Sequence, residues 1–443
     1  MELRDMIVTP LVIMLVYAVA YIVRPRFTDH ITWRYFFPAL TVRIIGALAV
    51  GFIYQFYYDG GDTYNYHTFG SRHLWTALFE SPDKIFKLFF NDGTDTTGIY
   101  NYASKILFFT DPGSYAVVRV AFIFDIFTFS SYSATAVLFA VFSFAGMWMF
   151  FLTFYRQYPH LHRSIAIAAF FIPSVFFWGS GLLKDTLTLG CLGIAIFQMH
   201  RIFNLRKMSL TGFIMLVAAL YMLYVVKFYI LMVFFPAAVI WVFMFNFSRI
   251  RSKALKIMLF PITVSLALGF AYFSILKAGE DNEKYSLSML SKTAQVTAYD
   301  IRYWTGRDAG SGYSLGELDG SISSMVNLAP QAVNVSLFRP YLWEVKNPLM
   351  LLSALESLAL MIFAVYLLVR MARGGAAALV QPNVLFLLVF SITFAFAVGV
   401  STFNFGTLVR YKIPMLPCLV VAFVLINDYS KSARKLEVLE TTE

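Results

Sequence analysis

Long apolar runs, each closed by basic or turn-forming residues, recur from one end of the chain to the other. About 20 apolar residues are what an α-helix needs to cross the ~30 Å hydrocarbon core of a bilayer. Apolar windows read against the basic segments between them predict spans near 6–23, 35–57, 132–154, 164–178, 184–200, 209–226, 228–247, 257–277, 348–369, 383–402 and 411–427. The expected fold is therefore all-α, a polytopic integral membrane protein of about 11 transmembrane helices forming a single membrane domain over 1–443. The runs do not have the weak alternating period of a membrane β-barrel.

Composition sharpens this picture. The 443 residues are 59% hydrophobic, 18% aromatic and 14% charged, whereas soluble domains carry roughly a quarter charged residues. That excludes a cytosolic globular enzyme. The net charge of +10 would suggest nucleic acid only if it gathered on one soluble face. It follows topology instead, so no nucleic-acid partner is expected.

The basic residues Arg24, Arg26 and Arg34, then Arg156 and Arg163, then Arg201, Arg206 and Lys207, then Arg249, Arg251, Lys253 and Lys256, then Arg370 and Arg373, and finally Lys431, Arg434 and Lys435 fall at every second turn. The positive-inside rule makes these six segments cytoplasmic. The N-terminus is then outside and the C-terminus on the cytoplasmic side. For this to be consistent, Ser114 to Phe129 must be an interfacial or re-entrant helix that does not cross. Ala18-Val19-Ala20 resembles a signal-peptidase site, but the leading MELRD is not basic and cleavage would invert every later loop, so helix one is expected to be retained. Cys191 and Cys418 fall inside apolar spans, and six scattered His show no ligand spacing.

Two connections break the rhythm of short turns, 59–131 and 278–347, both on the outer face. Each holds eight of the 25 acidic residues, and loops this long usually have a function. The first opens with Tyr57-Tyr58-Asp59-Gly60-Gly61-Asp62-Thr63-Tyr64-Asn65-Tyr66-His67. The glycine pair permits a tight turn, and Asp62 is placed to cap an interfacial helix carrying Tyr64, His67 and Trp75. Capping alone would account for Asp62. A carboxylate at the lipid boundary ringed by Tyr can also serve as a general base or bind a divalent ion.

Gly179-Ser180-Gly181-Leu182-Leu183-Lys184-Asp185 forms a short outer turn. Lys184 beside a helix start suits a phosphate, although an interfacial snorkel with a helix-start acid is an equal alternative. In Phe338-Arg339-Pro340-Tyr341-Leu342-Trp343-Glu344, Arg339 offers a bidentate phosphate fork with Glu344 in reach, while the aromatics alone would make a membrane-surface anchor. Arg410-Tyr411-Lys412-Ile413-Pro414 places cations against the positive-inside bias. Lys227 between two apolar runs, and Glu356 well inside a span, are functional candidates by their setting, with a structural pair between Glu356 and a neighbouring cation as the plain alternative. Cations on one face below two acidic loops fit an anionic lipid headgroup.

These motifs resemble the polyprenyl-phosphate-dependent membrane glycosyltransferases of the GT-C superfamily, as found in bacterial polysaccharide clusters. The resemblance implies a GT-C-like fold with two long outer loops containing interfacial helices. Asp59, Asp62 and Tyr64 match the acidic start of that family's first outer loop, which implies Asp62 as general base. Lys184 and Arg410 match its phosphate-holding short loops. The implied partners are a polyprenyl-phosphate-linked sugar donor, a glycan, lipid or protein acceptor, and the bilayer. Asp59 and Asp62 are thus the catalytic candidates; Tyr64, His67, Lys184, Asp185, Lys227, Arg339, Glu344, Arg410 and Tyr411 are the substrate-binding ones. The extra N-terminal helix departs from the family's commoner plan. Two rivals remain: an O-antigen or exopolysaccharide polymerase acting on lipid-linked repeat units, and a transporter or flippase of lipid-linked sugars. Transport predicts ionisable residues through the helix midplanes and discontinuous helices.

Overall fold

The computed structural model describes residues 2–249, 327–372, 376–402 and 404–440, with isolated positions between 250 and 326, Tyr313 among them. The expected span 257–277 and most of the second outer loop, 278–347, lie outside the described residues. Among those described there are helices, turns and one isolated β-bridge, Gly312 with Asn404.

The helices are α1 (Leu3–Phe27), α2 (Trp33–Phe56), α3 (Asp62–Tyr66), α4 (Arg72–Glu80), α5 (Pro82–Phe90), α6 (Tyr100–Ala103), α7 (Pro112–Thr128), α8 (Tyr132–Tyr155), α9 (His162–Ala166), α10 (Pro173–Trp178), α11 (Lys184–Met199), α12 (Leu210–Asn246), α13 (Ala329–Phe338), α14 (Pro348–Arg370), α15 (Pro382–Ser401), α16 (Phe405–Tyr411) and α17 (Leu416–Glu440). Among the described residues seven helices are long and apolar enough to cross a membrane, or eight if the bent pair α16 and α17 is one span. The chain is a polytopic α-helical membrane protein.

Most of the expected spans correspond to such helices, and the departures have local causes. The run 164–178 is divided into α9, a π-helical turn at Ile167–Phe171, and α10. Ile172 is extended, at φ −72° and ψ 122°, because the ring of Pro173 disfavours a helical residue before it. The runs 209–226 and 228–247 are joined as α12, whose backbone leaves helical geometry at Lys227 (φ −148°, ψ 77°). The run 411–427 bends by 66° between α16 and α17, where Pro414 in the intervening turn cannot continue the ladder of α16. The non-crossing stretch expected at 114–129 is α7, 17 residues long.

The chain divides into two compact units, residues 1–198 with 210–227 and residues 199–209 with 228–443. In the first unit, α8 is enclosed by α1, α2 and α7. Its Gly146 meets α11 so closely that a Cβ there would sit 2.0 Å from the Gly190 carbonyl oxygen, and one at Gly193 would sit 2.2 Å from that of Gly146. Small residues let helix backbones touch where lipid supplies no hydrophobic drive to associate. By contrast α1 leaves Leu3, Met6, Ile7, Leu11, Met14 and Leu15 exposed, a face that lipid can cover and water cannot do without penalty. In the second unit α15 packs on α13 and α17. Trp241 there stacks on Phe386 with centroids 4.4 Å apart and donates its indole N–H to Asn383 at 2.9 Å.

Candidate functional site

After α2 the chain turns through Asp59, Gly60 and Gly61, all at positive φ. The helix start that follows differs from the expected cap. Gly61, at φ 124° and ψ −164°, is the N-cap, and its carbonyl accepts from the backbone of Tyr64 and Asn65, each at 3.0 Å. Asp62 occupies the first helical position, where its charge favours the positive end of the peptide dipoles. Glycine takes the cap because that backbone geometry is closed to residues bearing a Cβ. Asp59 is exposed and Asp62 half-buried.

The charge of Asp62 acts on Lys184, the first residue of α11. An ammonium there is opposed by the helix dipole, so it needs an anion. Asp111 supplies one: its Oδ2 lies 3.3 Å from Lys184 Nζ, with side chains 52% and 20% exposed respectively. Asp111 is also the N-cap of α7, accepting from the Gly113 N–H at 3.2 Å and from the Ser114 hydroxyl. A Cβ at Gly113 would lie 3.1 Å from the Val225 carbonyl oxygen and 3.4 Å from Lys184 Nζ, so the glycine lets the start of α7 approach this group. Burial opposes ionisation of Asp111, but Ser114, Lys184 and the Gly113 N–H outweigh it and hold the carboxyl below its ordinary range. Its stabilising effect is therefore present above an unfolded pKa of about 3.9 and is lost as pH falls through the lower folded value.

Beside this pair lies a deeper one. Lys227 Nζ is 2.5 Å from Asp185 Oδ1, with exposures of 8% and 0%. The positive charge of Lys227 also acts on Lys184. Asp62, Asp111, Lys184, Asp185 and Lys227 thus form one neighbourhood in the first unit, drawn from α3, α7, α11 and the break in α12.

Tyr64 and His67 are placed in a second network. Tyr64 stacks on Tyr132 at 4.3 Å and its hydroxyl reaches the Gly51 carbonyl at 3.3 Å and Gln55 at 3.2 Å. Burial, aided by Asp5, pushes that hydroxyl up to about 12. His67 is fully enclosed, with Nε2 3.3 Å from Asp125 Oδ1. Asp125 also accepts from Ser71 at 2.6 Å and Thr135 at 2.7 Å.

In the second unit Arg339 pairs with Glu344 through both Nε and Nη2. Tyr313, Tyr341 and Phe405 surround the guanidinium with centroids 5.7, 5.8 and 5.2 Å away. Burial of Glu344 opposes its ionisation, yet Arg339 and the Tyr341 N–H hold the carboxyl below its ordinary range. The fork expected to face a phosphate is occupied by this carboxylate. Arg410 and Tyr411 close α16, both half-buried. Next to them Lys412 is fully buried, donating to Ser357 at 3.2 Å, and the charge of Glu356 acts on it.

Three participants were not singled out from sequence. Asp111 sits in Asp-Pro-Gly-Ser, which reads as an ordinary turn. Asp125 reads as the polar side of an interfacial helix. Arg43, inside the apolar run of α2, is fully buried, and its Nη1 donates to Ser143 at 3.1 Å and to the carbonyls of Val175 at 3.1 Å and Gly179 at 2.8 Å. Its Nε and Nη2 have no hydrogen-bond partner. A lone arginine in mid-span was the available signal. Among the described residues no three His, Cys, Asp or Glu side chains gather as a metal site.

Comparison with protein-family models, with curated proteins and with solved structures returns no match for this chain. What the chain can do is therefore argued from its residues.

Proposed function

We propose that the protein moves a sugar from a polyprenyl-phosphate-linked donor to a glycan, lipid or protein acceptor at the outer face of a bacterial cytoplasmic membrane, with inversion. The N-terminus is outside and the C-terminus inside on this reading. The observation that carries it is the half-open Lys184 and Asp111 pair, backed by buried Asp185 and Lys227, with Asp62 acting on the same lysine. In the reaction an acceptor hydroxyl attacks C1 and passes its proton to Asp62. The C1–O bond to phosphate breaks, and the electron pair leaves with the lipid phosphate. Lys184 stabilises that charge, more strongly than it would in water because its setting is partly desolvated. Arg339 and Arg410 belong to the second unit, where they are anion-contact candidates of their own, Arg339 after release from Glu344.

Transport of a lipid-linked sugar is the second reading. It is favoured by Arg43 in mid-span, the break at Lys227 and the 66° bend after α16, because buried ionisable groups and discontinuous helices are what translocation sites use. Mass spectrometry of lipid-linked and polymeric glycans in a deletion strain separates the two. Complementation with Asp62→Asn should leave transfer reduced by roughly 100-fold or more, the usual contribution of a general base. A single sugar missing from an otherwise complete glycan, alike in both strains, supports transfer. Full activity of Asp62→Asn removes the base, and an unaltered sugar composition with lipid-linked precursor retained inside selects transport.

A further inference from the structure

Two ion pairs occupy one neighbourhood of the first unit, and they differ in kind. Asp185 and Lys227 are almost wholly enclosed and in direct contact at 2.5 Å. Separating them would leave a buried charge without compensation, which is costly. Asp111 and Lys184 touch through one oxygen at 3.3 Å, and the carboxylate is half exposed. Such a pair contributes little to stability. Asp111 has, besides Lys184, the Gly113 N–H and the Ser114 hydroxyl as donors, so it keeps two partners if the lysine leaves. Lys184 is therefore the cation of this group that can change partner at small cost.

We infer that Asp111 is a resident counter-anion, occupying Lys184 in the free protein and displaced from it when the phosphate of a polyprenyl-phosphate ligand arrives. The inference rests on the proposed phosphate role of Lys184 and adds an affinity-setting residue to it. The phosphomonoester left by transfer brings more charge and three acceptor oxygens against one half-solvated carboxylate oxygen, and the donor's phosphodiester brings one full charge shared by two oxygens, so each can take the lysine. The carboxylate remains as a tethered competitor and limits how tightly a phosphate is held. For an enzyme whose product is itself a lipid phosphate, this speeds product departure. Around the exchanging pair stand Asp62 on α3, Asp185 on α11 and Lys227 at the break in α12, and none of these changes partner in the exchange.

The test is equilibrium binding to the full-length protein in detergent, with farnesyl phosphate, inorganic phosphate and farnesol as probes. Asp111→Asn and Asp111→Ser remove the charge but keep an oxygen that can cap α7, since Asn, Ser and Asp are nearly equal at that position. Both variants should bind farnesyl phosphate about fivefold more tightly than the parent chain, the scale of a half-exposed ion pair. Farnesol binding should be unchanged, and Lys184→Met should abolish the gain. The same ratio with inorganic phosphate means that the phosphate alone drives the exchange; a gain confined to the lipid means that the chain must be seated first, and either supports it. Unchanged or weaker binding of farnesyl phosphate by both Asp111 variants, with binding still dependent on Lys184, overturns the exchange and leaves the phosphate role standing. Binding that ignores Lys184 overturns both.

Discussion

Lys227→Met should destabilise the first unit by about 3–5 kcal/mol, the usual effect of removing one member of a buried ion pair. The argument lies in what is left behind. Asp185 is fully enclosed, and without the ammonium its carboxylate is left uncompensated in a poorly solvating setting. Asp185→Asn should cost a similar amount, because it strands the ammonium of Lys227. The double variant Asp185→Asn with Lys227→Met should return to within about 1 kcal/mol of the parent chain, since neither charge then has to be desolvated. Thermal unfolding of the four proteins in detergent measures all of these. Additive losses in the double variant would show that the two side chains do not act as a pair. The double variant also separates scaffold from chemistry: a folded protein without glycan transfer would mean that the charges are needed by the substrate, whereas full transfer would confine them to holding the break in α12 against α11.

That pair also marks the limit of what a single sequence reveals. Asp62, Lys184, Asp185 and Lys227 were each visible, because a charge beside an apolar run is costly and stands out. The pairing of Asp185 with Lys227 was not, since 42 residues separate them and nothing in local periodicity encodes a contact through space. Asp111 reaches Lys184 across 73 residues, and its own surroundings read as a turn. Arg339 and Glu344 were legible as partners because they lie only five positions apart. The apolar runs foretold most membrane helices, as bilayer thickness imposes a length on them. The charge of Lys227 between the runs 209–226 and 228–247 marked the break there, whereas the one at Ile172 was harder to foresee. An apolar stretch has the same hydropathy whether its helix is continuous or not, and Pro173 was the one local sign. Gly61 in place of Asp62 as the cap of α3 depended on backbone dihedrals that a Gly-Gly-Asp string leaves open.

Arg43→Met should raise the thermal midpoint and stabilise the protein by roughly 1–4 kcal/mol, the range seen when buried ion pairs are replaced by apolar side chains of similar volume. Deleting the guanidinium orphans none of the groups it touches. The Val175 carbonyl still accepts from the Gly179 N–H at 3.1 Å, and the Gly179 carbonyl still accepts from the Ser143 hydroxyl at 2.7 Å. Against these dispensable contacts stands a permanent cation, wholly buried, with Nε and Nη2 unpaired and inside a span where desolvation is severe. A residue whose removal stabilises the fold is one that the fold does not need, so glycan transfer or translocation by Arg43→Met should fall even as the midpoint rises. Such a trade marks groups held for function. Arg43→Lys keeps the charge, shortens the reach and discards the planar fork, so it should recover neither the stability nor the full activity. A lower midpoint for Arg43→Met would reverse the assignment: the three bonds from Nη1 would then outweigh desolvation, and Arg43 would be a clamp that holds α10 and the turn leading to Lys184.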